Sequence, residues 1–427
     1  MNSPKPRLWK NRNYRLLFSA SAISNLGDGV AILAYPWLAT LISRDPMHIA
    51  FVAFASRLPW FLLTLPAGVI TDRLSHRKIM IWADVFRFVL TLAVVSLVVL
   101  GPELPGDTPN GAMILLLALA AFLLGSAEVL RDNTAQTILP GLVEDDDLPA
   151  ANGQMWSAEQ VIGQFIGPPL AGFLIALALP LPFVLDAVSF ALAAGLVFYL
   201  KPRPVMPTPH KPAWAAMKEG LVWIRKRPLL VRLAVMTGLM NLGATISLTI
   251  LVLFAQDIFD LGAAGYGLLL TSGALGGAIG GLVAPRIVAW IGQGWGLRIS
   301  VGFIALESLL MGLANHVFFI ALGLFLGVFG GMIWNVIAVP LRQRIVPPEL
   351  LGRVNSVYRF VSWGTVPIGA ILSGVLVTGF EVFTSHETAL RLPYILVGGG
   401  FCLLTLYTFR KFSNASLKAG ATQAIGA

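Results

Sequence analysis

Runs of about 20 predominantly apolar residues, broken by short polar segments, recur from one end of the chain to the other. At about 1.5 Å of helical rise per residue, each run is long enough to cross a hydrocarbon core of about 30 Å. The pattern places a first set of spans near 16–42, 49–71, 79–100, 111–139, 152–178 and 181–200. A second set falls near 229–256, 264–290, 297–315, 317–341, 354–379 and 390–410. It predicts an all-α integral membrane protein with twelve transmembrane helices. The first run is too long for the apolar stretch of a cleavable signal peptide and has no small-residue cleavage site, so it reads as a retained anchor.

Composition agrees with the pattern. Of the 427 residues, 56% are hydrophobic and only 12% charged, against about 25% charged in soluble domains. The net charge of +9 points to a nucleic-acid partner only until the basic residues are sorted by position. About 24 of the 30 Lys and Arg lie before the first span, at the even-to-odd connections or after the last span, so the positive-inside rule puts both termini in the cytoplasm. Of the rest, Arg44 and Arg391 fall on the opposite face, and Arg57, Arg87, Arg131 and Arg359 fall inside spans. No nucleic acid is expected. A single cysteine, Cys402, excludes an internal disulfide framework and a Cys-rich metal site. No metal or cofactor is expected.

The longest polar stretch divides the chain into an N-terminal half (1–200), a cytoplasmic linker (201–228) and a C-terminal half with a short tail (229–427). Within the linker, Trp214, Met217, Leu221 and Ile224 recur at helical spacing, which predicts an amphipathic helix over Ala213 to Ile224 on the membrane surface. The halves echo one another. Asn25-Leu26-Gly27 returns as Asn241-Leu242-Gly243, and Gly68-Val-Ile-Thr-Asp-Arg73 as Gly281-Leu-Val-Ala-Pro-Arg286. Thr137-Ile-Leu-Pro140 followed by Asn152 returns as Arg344-Ile-Val-Pro347 followed by Asn355. Offsets of roughly 200 to 216 residues in one order indicate two pseudo-symmetric six-helix halves, which place a substrate site at their interface and permit alternating access by rocking.

Two motifs add mechanism. Gly68-x-x-x-Asp72-Arg73-x-Ser75-His76-Arg77-Lys78 closely resembles the cytoplasmic signature of the major facilitator superfamily. The glycine is expected to admit a close helix approach, Asp72 to latch onto a cation or a helix N-terminus, and Arg73, Arg77 and Lys78 to hold the turn inside. The family usually carries glycine in place of Ser75 and a basic residue in place of His76, and the second half has Pro285 where the acid stands. Span five contains Gly163-x-x-x-Gly167-Pro168-x-x-Ala171-Gly172, which resembles the glycine-proline motif of proton-coupled drug antiporters in that superfamily, with Ala171 a departure. Small residues four apart admit close packing, and Pro168 frees a carbonyl and bends the helix.

Charges inside spans are costly and need partners or a wet cavity. Asp28 lies midway along span one, and its counterpart in the second half is Ala244, so it reads as a proton- or substrate-binding acid facing a cavity. Glu128, Arg131 and Asp132, at i, i+3 and i+4, share a helix face and form a coupling cluster, while Asp84 and Arg87 are expected to satisfy one another. Glu159, Asp186, Glu307 and Arg359 stand singly. Candidate cavity-lining residues are Asn25, Tyr35, Arg57, Asn241, Glu307, Trp334 and Arg359. The acidic run Glu144 to Asp147 precedes Leu148-Pro149, a helix start that acids favour and can cap. Phosphate loops, His-Glu-x-x-His pairs and Gly-x-Ser-x-Gly elbows are absent from the sequence, which argues against an enzyme.

Over nearly its whole length the chain resembles a major facilitator transporter, in the branch of macrolide efflux and enterobactin export proteins. The narrower likeness rests on Leu8-Trp9-Lys10-Asn11-Arg12-Asn13-Tyr14 with Asn25 to Asp28, and on Arg131-Asp132-Asn133 through Leu139-Pro140 and Leu148 to Asn152. The resemblance implies a bundle of twelve helices in a bacterial inner membrane and proton-driven export of a drug or siderophore. The expected partners are a small hydrophobic or amphiphilic substrate, protons and membrane lipid, with the chain a monomer. A lipid or lysolipid flippase, and a non-transporting receptor or sensor, are the alternatives.

Overall fold

The computed structural model describes residues 7–106, 109–201, 213–414 and 417. Among the described residues, twelve spans are long and apolar enough to cross a membrane. In chain order the helices are α1 (Arg12–Ile42), α2 (Pro46–Arg73), α3 (His76–Leu100), α4 (Gly111–Ile138), α5 (Leu148–Ala158), α6 (Gly167–Leu177) and α7 (Leu181–Phe198). They continue with α8 (Ala213–Arg225), α9 (Pro228–Asp257), α10 (Ala263–Ile291), α11 (Gln293–Gly312), α12 (Val317–Ile345), α13 (Pro348–Glu381) and α14 (His386–Lys411). The apolar runs thus became helices with ends shifted by only a few residues. Between α5 and α6, however, a π-helix covers Glu159–Ile166, so the fifth span is one rod with a widened middle. The widening ends where Gly167, Pro168 and Pro169 begin, and two adjacent prolines withhold two N–H donors from the preceding turn.

The chain divides into two compact units. The first comprises Met1–Arg44, Ala55–Pro209 and Leu261–Thr271. At its heart α1 packs on α7, α6 and α4, while α3 packs on α7 and α4. Apolar side chains gain nothing by leaving lipid for one another, so small residues that bring backbones together supply the packing. A Cβ on Gly29 would stand 2.2 Å from the Gly163 carbonyl oxygen, and one on Gly167 2.4 Å from the Gly29 carbonyl carbon. Asn11 caps α1 by accepting from the N–H groups of Asn13 and Tyr14, and its amide donates to the Leu142 carbonyl at 2.5 Å. Asn13 exchanges two hydrogen bonds with the Lys201 backbone, and the Tyr14 hydroxyl donates to Gln154 at 2.8 Å. The motif from Leu8 to Tyr14 therefore ties one end of this unit around a core containing Leu17, Met80, Ile138 and Val197.

The second unit comprises Asp45–Phe54, His210–Asp260 and Ser272–Ala427. Here α13 packs on α9 and α14, and α11 packs on α12 and α14. The linker helix α8 lies against α13, where a Cβ on Gly220 would meet the Arg353 carbonyl oxygen at 2.5 Å and Glu219 pairs with the Arg353 guanidinium. Met217 and Ile224 are buried on that face, but Leu221 is exposed, so the expected apolar stripe is split between protein and surroundings. The side chain of Trp214 lies outside the described residues. The acidic run forms a 3-10 turn, Asp145–Asp147, ahead of α5; Asp147 makes no side-chain cap, so its contribution there is charge rather than a hydrogen bond. Cys402 is exposed.

Candidate functional site

One stripe of α1 carries Ser21, Ser24 and Asp28 at i, i+3 and i+7, which puts all three on a single face. Two arginines from other helices meet this stripe. The Arg87 guanidinium of α3 donates to Asp28 and, at 3.2 Å, to Ser24 Oγ. Its flat face lies 3.8 Å from the Phe190 ring centroid on α7. Arg131 of α4 donates through Nε to Asp84 Oδ1 at 3.2 Å, and its Nη1 lies 3.5 Å from Ser21 Oγ and 3.6 Å from Asp132 Oδ1.

The result is a ladder across three helices: Asp132, Arg131, Asp84, Arg87, Asp28. Taking a lone ion out of water costs several kcal/mol, roughly, and alternating signs offset that cost. The expected local pair of Asp84 with Arg87 is present, but as the weakest link of the ladder. Their closest approach is 4.0 Å, and each has a nearer partner on another helix, Arg131 and Asp28 respectively. Asp84 is the hinge of the ladder, a role that its sequence spacing conceals.

Accessibility separates the members. The side chains of Asp84, Arg87 and Arg131 are at most 3% exposed, whereas Asp28 is 22% and Asp132 29% exposed. The ladder is sealed in its middle and open at both ends. Further carboxylates surround it: Asp28 has Glu128, Asp132, Glu159 and Asp186 as electrostatic neighbours, and Arg57 is a neighbour of Glu128. Of the expected trio on α4, Arg131 and Asp132 come within ion-pair distance, while Glu128 has Asp28, Arg87 and Asp132 as electrostatic neighbours.

The glycine-proline motif stands directly behind this site. Gly163 faces the Asn25 carbonyl oxygen, with 3.3 Å left for a Cβ, so α1 touches the π-helix and the start of α6 through Asn25, Gly29, Gly163 and Gly167. Pro168 presents its carbonyl to Gly267, and Gly172 presses on the Ala263 carbonyl, a Cβ there meeting it at 2.3 Å. Tyr35 is buried one further heptad along the Asp28 stripe, with its ring edge-on to Phe183 at 5.3 Å.

The turn after α2 carries the cytoplasmic signature residues. Among the described residues, a Cβ on Gly68 would meet no heavy atom within 4 Å. Arg77 donates to the Leu200 carbonyl at 3.4 Å and lies over the Phe198 ring, anchoring the turn to the end of α7. Lys78 is exposed, and the side chains of Asp72 and Arg73 lie outside the described residues.

In the second unit the candidates remain apart. Asn241 donates to the Ser362 carbonyl at 2.8 Å, and the buried Trp334 indole donates to Thr237 Oγ1 at 3.0 Å. Glu307 is buried against α12, where a Cβ on Gly327 would overlap its carboxyl group. Arg359 is exposed. Among the described residues no metal-binding group of three or more His, Cys, Asp or Glu is found.

Residues 7–418 match the model of a family described as transmembrane secretion effector. The multidrug efflux pump Tap of Mycolicibacterium fortuitum is 26% identical over 410 residues, covering 90% of this chain and 93% of the pump. The enterobactin exporter EntS of Escherichia coli is 24% identical over 425 residues, covering 93% of both. Among solved structures, a mutant of the nucleoside transporter NupG superposes with a TM-score of 0.75 at 13% identity, covering 94% of this chain and all of that one, which is a likeness of fold.

Proposed function

Because the chain belongs to the transmembrane secretion effector family, within the major facilitator superfamily of transporters, we propose that it exports a hydrophobic or amphiphilic small molecule in exchange for protons by alternating access. The observation that carries this reading is Asp28, an accessible carboxylate at the open end of an otherwise sealed ladder. Charge counting supports it. Arg57, Arg87 and Arg131 face Asp28, Asp84, Glu128, Asp132, Glu159 and Asp186. Three guanidinium groups cannot neutralise six carboxylates in low dielectric, so the surplus carboxylates hold protons or meet a cation.

Proton and cationic substrate then compete for the same acid. A proton on Asp28 weakens its hold on Arg87, which has Asp84 within reach as its second partner. That shift moves Arg131 between Asp84 and Asp132, so loading Asp28 is felt on α3 and α4. Each proton returning down a potential of 100 mV supplies about 2.3 kcal/mol toward uphill export. Two relatives with cargo as different as multiple drugs and enterobactin support a broad class of amphiphile rather than one compound.

The two sequence halves on either side of the 201–228 linker act as the moving bodies, with both termini cytoplasmic in a bacterial inner membrane and the chain working as a monomer. Asp72 and Arg73, with Gly68, Arg77 and Lys78, form a latch at the cytoplasmic turn. Energised everted membrane vesicles test the reading. They should accumulate ethidium, a lipophilic cation, and lose it on adding a protonophore, and Asp28→Asn should abolish the accumulation. Accumulation that survives the protonophore rejects proton exchange.

A further inference from the structure

Beyond Asp28 the same polar stripe continues into a part of the first unit that the ladder does not use. On α1 it runs from Asp28 to Tyr35, seven residues or about 10 Å toward the Ile42 end. On α3 it runs Asp84, Arg87, Thr91, at i, i+3 and i+7. Asp186 of α7 joins them there. It is 2% exposed, and one turn on, Phe190 of the same helix carries Arg87 against its ring.

Three buried polar atoms gather at this end: Tyr35 Oη, Thr91 Oγ1 and Asp186 Oδ1. Thr91 lies between the other two, an immediate neighbour of each. Arg87, the cation beside Asp186, is engaged by Asp28, so a charged Asp186 is buried while sharing its cation with a second acid, a state that a proton relieves. The chain also keeps the place open. A Cβ on Gly27 would stand 2.4 Å from Asp186 Oδ1 and 2.2 Å from Ser189 Oγ, so the residue beside Asp28 has no side chain where the Asp186 carboxyl sits.

We propose that Asp186, Thr91 and Tyr35 form a second proton-binding station, joined to Asp28 through Arg87, so that part of the proton path runs inside the first six-helix unit. The inference rests on the proton-exchange reading. The groups facing Asp186 are Asp28 and Tyr35 from α1, Arg87 and Thr91 from α3, and Ser189 on its own helix. A carboxylate only accepts hydrogen bonds; a carboxylic acid also donates one. As a carboxylate Asp186 accepts from the Thr91 hydroxyl, and with a proton it donates to Thr91 Oγ1 instead, so the link through Thr91 to Tyr35 serves both states.

The step is balanced. The O–H bond of protonated Asp28 breaks, an O–H bond forms on the Asp186 carboxylate, and one negative charge passes from Asp186 to Asp28. Arg87 neighbours both acids and stays charged, turning from one to the other as the charge moves.

The test uses the full-length protein in liposomes containing pyranine as a pH reporter, with ethidium as the probe. Ethidium-dependent proton movement is compared with ethidium counterflow at equal pH, which requires no net proton transfer. The ratio of the two is expected to fall about a hundredfold in Asp186→Asn, the scale of a lost proton-transfer group, and by about tenfold in Thr91→Val and Tyr35→Phe. A ratio equal to wild type in all three variants overturns the station, since a packing role lowers both rates together. Should Asp186→Asn fail to fold, Tyr35→Phe decides, because it keeps the ring against Phe183 and removes only the hydroxyl. Wild-type protein that moves no protons with ethidium refutes the exchange reading itself, and the station with it.

Discussion

Arg131 serves three oxygens on three residues, Asp84, Ser21 and Asp132, from one planar group. A lysine ammonium is a point charge and cannot span them. Arg131→Lys is therefore expected to lower stability by about 3 kcal/mol, the scale of a buried pair that loses one partner, with the loss read as an earlier thermal unfolding transition in detergent. An unchanged transition would mean that the ladder is not a unit. Individual residues were unevenly legible. Asp28 and Arg131 declare themselves, because an acid or a base in the middle of an apolar run needs a reason to be there. Asp84 and Arg87 look like a local pair, since spacing along one helix cannot reveal that α4 and α1 bring nearer partners. Asp186 gave no sign of its surroundings, because its neighbours are a tyrosine, a threonine and a glycine that sequence treats as packing.

Among the elements, the fifth span departs most from its expected form. The glycine and proline positions forecast a bend, but not a π-helix that starts at Glu159, well before Pro168. Restoring one backbone donor with Pro168→Ala should let the turn narrow toward α-helical pitch and shift Gly163 away from Asn25. The expected result is at least a tenfold loss of ethidium efflux, roughly, with normal protein level on a membrane immunoblot. Full efflux would show that the widened turn is incidental. A bulkier change at Gly29 acts more bluntly. Gly29→Val places a branched side chain against the backbone of Gly163, and the variant is expected to be depleted from the membrane. Helix ends were well forecast, because membrane thickness sets a length and polar breaks set the register. At the turn after α2 the likeness identified the residues but not the contact that Arg77 makes with the end of α7.

At the scale of the whole molecule, the internal echo anticipates two six-helix halves, and yet each compact unit includes a short segment from the other half, 45–54 in one case and 261–271 in the other. Sequence repeats register common ancestry of helices and say nothing about which unit a helix end joins. The orientation proposed from charge bias is open to direct measurement. On a Cys402→Ser background, Gly262→Cys should react with a membrane-impermeant maleimide added to intact cells, whereas Ser75→Cys should react only after permeabilisation. The opposite labelling would place the termini outside. Unequal halves are also informative. The first unit gathers Asp28, Arg87, Asp84, Arg131 and Asp132 into one ladder, while Glu307 of the second is buried against α12, so the proposed proton coupling draws on the first half.

The central claim is that export of a substrate and entry of protons are one process, coupled at Asp28. Its most direct test is substrate-driven proton movement by purified protein in liposomes, wild type beside Asp28→Asn, with an ethidium gradient as the sole driving force. The account predicts acidification or alkalinisation of the lumen opposite in sense to ethidium movement in wild type and none in Asp28→Asn. Equal proton movement in the two proteins, or ethidium movement without any pH change in wild type, would contradict it.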